Sequence, residues 1–240
     1  MNERTLTKNK ISQFILRIDL APDSLIDFGI LADKLKNDYG SLKTELKVNF
    51  NVNVQTAEVK REHFLTYILG DAPGVTLKLD SFEKAIIFMS LQYSDNTIYK
   101  DRLSNIVKCI EGQTPEAKAQ RIGLRYINKF ACPKIADISK ILNPSESKSI
   151  KDSLNNDGIA RTMIVHEYQS VSHMRRVQCG IPNKFYPSII SNYDLVLDID
   201  VYSGGIMNIE TWEENVSEYN HAAYDTFISY TKDTFVESLK

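Results

Sequence analysis

The sequence predicts an α+β protein in which helices cover one face of a mainly antiparallel sheet. Apolar and polar residues alternate strictly in Leu42–Val54 and again in Tyr193–Tyr202, as in strands with one wetted face. Strands are grouped between helices instead of alternating singly with them, which argues against a doubly wound parallel sheet. Apolar residues at helical spacing in Trp212–Leu239 predict a long C-terminal helix.

The first half is predicted to contain six strands and two helices. In chain order these are the strand Ile11–Leu20, a helix from Leu25 closed by Gly40, the strands Leu42–Val54, Phe64–Leu69, Val75–Leu79 and Ala85–Leu91, a helix ending at Glu111, and the strand Ala119–Phe130. Turns are expected at Gly70–Gly74 and Asp80–Glu83. Either Asp95 or Thr97 is expected to cap the second helix.

The second half is predicted to begin with irregular chain and to end in the long helix. In chain order we expect irregular structure in Ile135–Pro144, a helix in Ser145–Leu154, a hairpin of Ile159–Tyr168 and Val171–Cys179, the strand Tyr193–Tyr202 and the helix Trp212–Leu239. The best boundary is Ala131–Ser147, which divides the chain into αβ halves of residues 1–130 and 131–240 packed as one unit. Two similar halves remain open, although no repeat of fixed period is present.

Composition points to a cytoplasmic protein that does not enter a membrane. The chain has 240 residues, of which 42% are hydrophobic and 25% charged, as in ordinary soluble domains. No apolar run reaches the roughly 18–20 residues that span a bilayer, and the first residues lack the apolar core of a secretory signal. The three scattered cysteines, Cys109, Cys132 and Cys179, suit a reducing compartment.

Charge is unevenly distributed along the chain. Residues 111–190 hold 12 basic and 7 acidic side chains, a net +5, whereas residues 191–240 hold 2 and 10, a net −8. The two segments could attract each other inside one fold. Alternatively, the basic segment could form a surface for phosphate or nucleic acid that the acidic segment flanks.

The central predicted strand carries the most unusual charged pattern. Arg121 and Arg125 lie on the same face of the strand, with Gly123 between them. Arginine binds carboxylate or phosphate through two parallel hydrogen bonds, so the two could clamp an anion. They could equally form structural ion pairs with Asp198 and Asp200, if the two strands are neighbours. We expect the ion pairs, because they explain why both strands carry like charges on one face.

No catalytic residue set, metal site or cofactor is predicted. Asp198 and Asp200 could bind Mg²⁺, but the sequence places no third ligand beside them. The histidines show no metal-ligand spacing. The phosphate-binding, dinucleotide-binding, hydrolase and kinase motifs are absent.

Two further groups are candidates for binding macromolecules. The basic set His173, Arg175, Arg176 and Lys184 could dock a nucleic-acid backbone, although Arg175 and Arg176 must face opposite sides of a strand. The apolar stripe of the last helix is the candidate surface for a partner protein or for a homodimer. Its candidate residues are Trp212, Tyr219, Phe227 and Tyr230.

Three stretches resemble one bacterial family. RIGLRYINKF from Arg121, LVLDIDVY from Leu195 and HAAYDTFISYTKD from His221 are similar to a sporadically distributed family of uncharacterised proteins of about this length. The resemblance implies a central strand with the RxGLRYIN motif and a C-terminal helix. A patchy distribution is usual for genes on mobile or anti-phage islands, so it also implies a part in antiviral defence or a toxin–antitoxin system.

Two functional hypotheses follow from these observations. The first is a non-enzymatic interaction or regulatory subunit, antitoxin-like, whose partner is an operon-encoded toxin or effector of a bacterial defence system. The second is a protein that binds RNA or nucleotide phosphates, or a nuclease-like enzyme, using Arg121 and Arg125 as an anion clamp. A homodimer is compatible with either hypothesis. Salt-dependent binding of single-stranded RNA would favour the second.

Overall fold

The computed structural model describes residues 8–70, 74–91, 93 and 97–240. This part of the chain forms a ten-stranded sheet and six α-helices. All strand pairs within it are antiparallel. The prediction of an α+β fold built on an antiparallel sheet is therefore confirmed.

The elements up to the central strand follow the predicted order. They are β1 (Ile11–Leu20), α1 (Phe28–Tyr39), β2 (Leu42–Asn53), β3 (Glu58–Leu69), β4 (Val75–Asp80), β5 (Ala85–Ser90), α2 (Thr97–Glu111) and β6 (Lys118–Phe130). The predicted turn at Gly70–Gly74 falls partly outside the described residues, and Asp95 lies outside them altogether. Asp27 caps α1, because its carboxylate accepts hydrogen bonds from two N–H groups of the first turn at 2.8 and 3.0 Å.

The remaining elements are α3 (Ile135–Ile141), α4 (Pro144–Leu154), β7 (Thr162–Gln169), β8 (His173–Ile181), β9 (Leu195–Ser203), β10 (Met207–Asn208), a 3₁₀ turn (Ile209–Thr211), α5 (Trp212–Tyr230) and α6 (Asp233–Glu237). The helix α4 begins one residue before the predicted start, with Pro144 in its first turn.

The sheet has the strand order β2-β3-β4-β5-β1-β6-β9-β8-β7, with the short β10 beside β6. The strand β1 lies between β5 and β6 near the centre. The strand β6 pairs in turn with β9, from Gly123 opposite Tyr202 to Phe130 opposite Leu195. Hydrogen bonds of the sheet thus cross directly from the segment 1–130 to the segment 131–240.

The core lies between one face of the sheet and the helices. Alternate residues of β1 are buried, namely Phe14, Leu16, Ile18 and Leu20. They share this core with apolar residues of α1, α2 and α5, including Leu31, Leu35, Leu103, Ile106, Val216 and Tyr219. We call this face of the sheet the helix side and the opposite face the polar side. Burial of this apolar surface is the main stabilising term of the fold.

The structure corrects two predictions in the second half of the chain. Residues 135–141 form the helix α3, where irregular chain was predicted, because Ile138 and Ile141 are buried and the Asp137 carboxylate accepts the Lys134 N–H at 3.0 Å. The last long helix stops at Tyr230 and does not reach Leu239. There the backbone turns to bond with residues 141–143, through Asn143 N–H to Tyr230 C=O at 3.0 Å and Lys232 N–H to Ile141 C=O at 2.9 Å.

The strand β3 is longer than predicted. It begins at Glu58, six residues before the expected start at Phe64, and pairs with β2 along its whole length.

Among the described residues, no helix combines the length and the apolar character needed to cross a bilayer.

Candidate docking surface

The hairpin of β2 and β3 extends beyond the rest of the sheet. Both strands have 12 residues and pair from Leu42 opposite Leu69 to Asn53 opposite Glu58. The next strand, β4, pairs with β3 only over residues 66–69. Residues 46–65 therefore form a two-stranded ribbon, which we call the arm.

One side of the arm is apolar and exposed. Since residues directly opposite each other in a pair share a face, six apolar side chains lie on this side. They are Leu46, Val48, Phe50, Val52, Val59 and Leu65, and we call them the arm face. Leu46, Phe50 and Val52 are 61%, 57% and 59% exposed. The arm face continues the helix side of the sheet past the point where the helices cover it, and an exposed apolar patch of this kind is a candidate interaction site.

The other side of the arm is anchored to the body of the protein at its base. Lys47 Nζ lies 2.5 Å and Lys78 Nζ 3.1 Å from the Asp80 carboxylate, which is inaccessible to solvent. Phe64 meets Phe82 edge to face with ring centroids 4.9 Å apart. Burial opposes ionisation of Asp80, but bonds from the two lysines and a backbone N–H outweigh it and lower the pKa of the carboxyl to about 2. The base of the arm thus depends on a buried, ionised carboxylate.

A groove of about 610 Å³ lies beside the base of the arm. His63, Leu65 and Tyr67 of β3 form one wall, and residues 24–29, which lead into α1, form the other. Leu25 in that wall is 79% exposed. Because Asp27 already satisfies the first N–H groups of α1, the helix start offers little to an anion. The groove adjoins the arm face, and its lining mixes apolar residues such as Leu25 and Leu65 with polar ones such as Ser81 and Lys84.

Arg61 and His63 lie on the same side of the arm, directly opposite Phe50 and Val48. The Arg61 guanidinium lies 5.6 Å from the centre of the Phe50 ring, a cation–π distance. Among the described residues, no carboxylate lies within ion-pair distance of Arg61. His63 follows two residues later on the same side of β3. A partner that matches this surface would be apolar and would place a carboxylate opposite Arg61.

The arginines of the central strand are engaged by acids of β9. Arg125 donates to both oxygens of Asp198, from Nε at 2.8 Å and from Nη2 at 2.6 Å. Arg121 Nη2 donates to Asp200 at 2.7 Å. The hydrogen bond to Asp198 raises the pKa of Arg125, whereas burial raises the pKa of Asp200 despite the two arginines. The structure thus forms the expected internal ion pairs, and neither guanidinium is left without an acid.

Gly123 makes room for the Arg121 side chain. A Cβ at Gly123 would lie 3.5 Å from the guanidinium of Arg121 and 3.0 Å from Cβ of Tyr202. The guanidinium passes over the Tyr202 ring at 4.4 Å on its way to Asp200. The RxGLR pattern is therefore explained by packing on the polar side of the sheet.

His173 and Arg175 face the helices. His173 Nδ1 lies 3.1 Å from a carboxylate oxygen of Glu218 on α5, and this contact, after a bond from Ser172, lowers the pKa of Glu218. Arg175 Nη1 donates to Thr226 Oγ1 at 3.1 Å. These side chains join β8 to α5 and do not form an open basic surface.

Arg176 and Lys184 lie apart from that pair. Arg176 is on the polar side, 3.6 Å from Glu167, so the expectation that Arg175 and Arg176 face opposite ways is confirmed. Lys184 lies in the segment after β8, 5.2 Å from the Phe185 ring. The four predicted nucleic-acid candidates therefore do not form one cluster.

The assignment of the α5 stripe as a partner-binding surface is wrong. Trp212, Tyr219, Phe227 and Tyr230 are all nearly inaccessible to solvent and belong to the core. The helix packs on β6 and β9, and the Tyr230 hydroxyl lies 2.6 Å from Nδ1 of His166. A homodimer cannot be built through this stripe without opening the core.

Comparison with known proteins adds no functional assignment. No family model, no curated protein and no solved structure matches this chain. Within the residues that the structure describes, no three His, Cys, Asp or Glu side chains are grouped so as to hold a metal ion.

The arm face was not found from the sequence, although a signal was present. The alternation of β2 indicates one apolar side, and such a side is normally covered by a core. Its partner, the segment from Glu58 to His63, reads EVKREH and supplies a single apolar residue, Val59. An apolar strand face whose neighbouring strand is polar indicates a ribbon that stands away from the core.

Proposed function

We propose that this protein is a non-enzymatic interaction subunit that binds a partner protein through the arm face and the adjoining groove. The observation that carries the proposal is the exposure of Leu46, Phe50 and Val52 on a ribbon anchored only at its base. Exposed apolar side chains reduce solubility unless a partner covers them. Their position on a ribbon that projects beyond the rest of the sheet suits a docking element.

The partner we propose is the operon-encoded toxin or effector of a bacterial defence or toxin–antitoxin system. This assignment to a system rests on the resemblance of RIGLRYINKF and the later stretches to the bacterial family. The chemistry of the arm adds that the partner surface is apolar and carries an acidic residue opposite Arg61.

The phosphate-binding alternative has weaker support. A clamp for phosphate needs guanidinium groups whose charge is available, and each of the two arginines here is bonded to an aspartate of β9. Binding of phosphate would have to displace these aspartates. The structure offers no observation that favours this alternative over the docking function.

The test is a binding measurement with the products of the adjacent genes. The protein is co-expressed with each product, and any complex is titrated calorimetrically. We expect the double variant Phe50→Ser/Val52→Ser to weaken binding by about a hundredfold, because two apolar side chains that the partner would bury are lost. Ile206→Ser is the matched control, since Ile206 is 65% exposed and lies outside the arm.

Equal binding by the wild type and the double variant would contradict the proposal, as would an equal loss in Ile206→Ser. Binding of single-stranded RNA is measured in parallel at increasing salt. Tight binding that falls steeply with salt, and that is lost in Arg121→Ala, would favour the phosphate alternative instead.

A further inference from the structure

The outer edge of β2 is unpaired. The strand lies at one end of the sheet, and within the described part of the chain its backbone pairs only with β3. Every residue from Leu42 to Leu46 is exposed. An open edge of this length presents a row of backbone N–H and C=O groups that another strand can bind.

The side chains of β2 are self-complementary about one residue. When two copies of β2 run antiparallel with Leu46 opposite itself, Glu45 of each copy stands opposite Lys47 of the other. On the other face, Thr44 then meets Val48 and Leu42 meets Phe50. This register therefore sets two opposite-charge pairs on one face and contacts among Leu46, Val48 and Phe50 on the other. Within one copy Glu45 lies 2.7 Å from Lys43 and Lys47 lies 2.5 Å from Asp80, so each charge would be shared between its present partner and the second copy.

Neighbouring registers are less favourable. A shift of the twofold axis by one residue places Glu45 opposite Glu45 or Lys47 opposite Lys47, and like charges directly opposite each other destabilise a strand pair. An axis at Thr44 sets Glu45 opposite Lys43, which keeps opposite charges together. It also sets Asn49 opposite Tyr39, the last residue of the helix α1, so the strand pair would be cut short. An axis at Val48 pairs the eleven residues 43–53 without opposing like charges, but it sets each charged side chain opposite an asparagine and forms no opposite-charge pair. The opposite-charge pairs therefore select the axis at Leu46.

We propose that two copies of this chain associate through β2, antiparallel and centred on Leu46, to join their sheets into one. The contact is isologous, so it closes as a dimer and leaves no further open edge at this position. It uses the backbone edge of the arm and also brings Leu46, Val48 and Phe50 of the arm face into cross-strand contact. Glu45 lies on the opposite face of β2, so Glu45→Lys tests the dimer without changing the arm face, and the two proposals can fail independently.

Cysteine cross-linking of the full-length protein tests the register. Directly opposite residues in antiparallel strands have Cα atoms about 4.5–5.5 Å apart, within the range of a disulfide. We expect Leu46→Cys to form a covalent dimer under mild oxidation. Val52→Cys is the matched control, because it is equally exposed but lies about 40 Å from its copy in this register. Wild type controls for the three native cysteines.

Mass measurement over a range of concentrations tests the association itself. We expect wild type to reach about twice 27.4 kDa. We expect Glu45→Lys to raise the dissociation constant of the dimer about tenfold or more, since it faces Lys47 of the other copy. Glu58→Lys makes the same charge change on β3 and should leave the dimer unchanged.

Three results would overturn the proposal. One is a monomer at every concentration that can be reached. Another is a dimer that Glu45→Lys does not weaken and that Leu46→Cys does not link, because such a dimer uses another surface. The third is a monomer whose Leu46→Cys variant links only to the product of an adjacent gene, since the edge of β2 would then belong to that partner.

Discussion

Arg125 and Asp198 hold β6 and β9 together through two parallel hydrogen bonds of 2.8 and 2.6 Å. Asp198 is almost fully buried, whereas the arginine reaches it from the partly open polar side. The pair therefore supplies two charge-assisted hydrogen bonds to a buried carboxylate, which would otherwise lose its hydration without replacement.

Removing the arginine should destabilise the fold. We expect Arg125→Ala to lower the free energy of unfolding by about 2 kcal/mol, because it strands the Asp198 carboxylate. Denaturant unfolding followed by circular dichroism measures this change. Arg176→Ala is the control, since Arg176 and Glu167 are 3.6 Å apart and exposed, and it should change the free energy by less than about 0.5 kcal/mol. Wild-type stability in Arg125→Ala would contradict a structural role for the pair.

Polar substitution on the arm face should leave the fold intact. We expect Phe50→Ser/Val52→Ser to change the free energy of unfolding by less than about 0.5 kcal/mol, because both side chains are exposed. The same variant should bind less of an apolar fluorescent dye and aggregate more slowly. A large loss of stability would show that these side chains are covered within the chain.

The base of the arm should loosen in acid. The pKa of Asp80 is lowered from 3.8 to about 2 in the folded state. The ionised carboxylate therefore stabilises the fold fully above about pH 4, and this stabilisation is lost as the pH falls toward 2. We expect about 1–2 kcal/mol of stabilisation to disappear over that interval. Amide hydrogen exchange of Lys47 and its neighbours measures it. In Asp80→Asn the same amides should exchange faster at neutral pH. Their protection should not fall further between about pH 4 and pH 2, because the titrating carboxylate is absent.

The stripe of α5 should behave as core. We expect Trp212→Ala to cost about 3–4 kcal/mol of unfolding free energy, because a large side chain is removed from a buried site. His221→Ala, at an exposed position of the same helix, should cost less than about 0.5 kcal/mol. Thermal unfolding compares the two variants. Equal stability of the two variants would contradict the assignment of this stripe to the core.

Much of the fold can be predicted from local pattern because most strands here have one buried side. The alternation in Tyr193–Tyr202 is strong for that reason, and its two aspartates on one face correctly suggested the arginines of β6 as neighbours. The helix α3 escaped prediction because only two of its side chains, Ile138 and Ile141, enter the core. The end of α5 at Tyr230 depends on contacts with residues 141–143, which are distant in sequence.

The candidate docking surface was not predicted, for a related reason. Periodicity shows which residues share a face, but it does not show whether anything covers that face. The alternation of β2 is the same as that of a strand over a core. The polar sequence of the neighbouring strand is the one sequence signal for the arm, and the pairing of β4 with only residues 66–69 of β3 shows that the arm projects beyond the sheet.

The projecting arm has a consequence for protein homeostasis. Under the proposed docking function, a copy without its partner keeps Phe50 and Val52 in water and would be the form that aggregates or is degraded first. The steady-state amount of this protein should therefore follow the supply of whatever covers the arm, and expression in excess of that supply should yield insoluble chain.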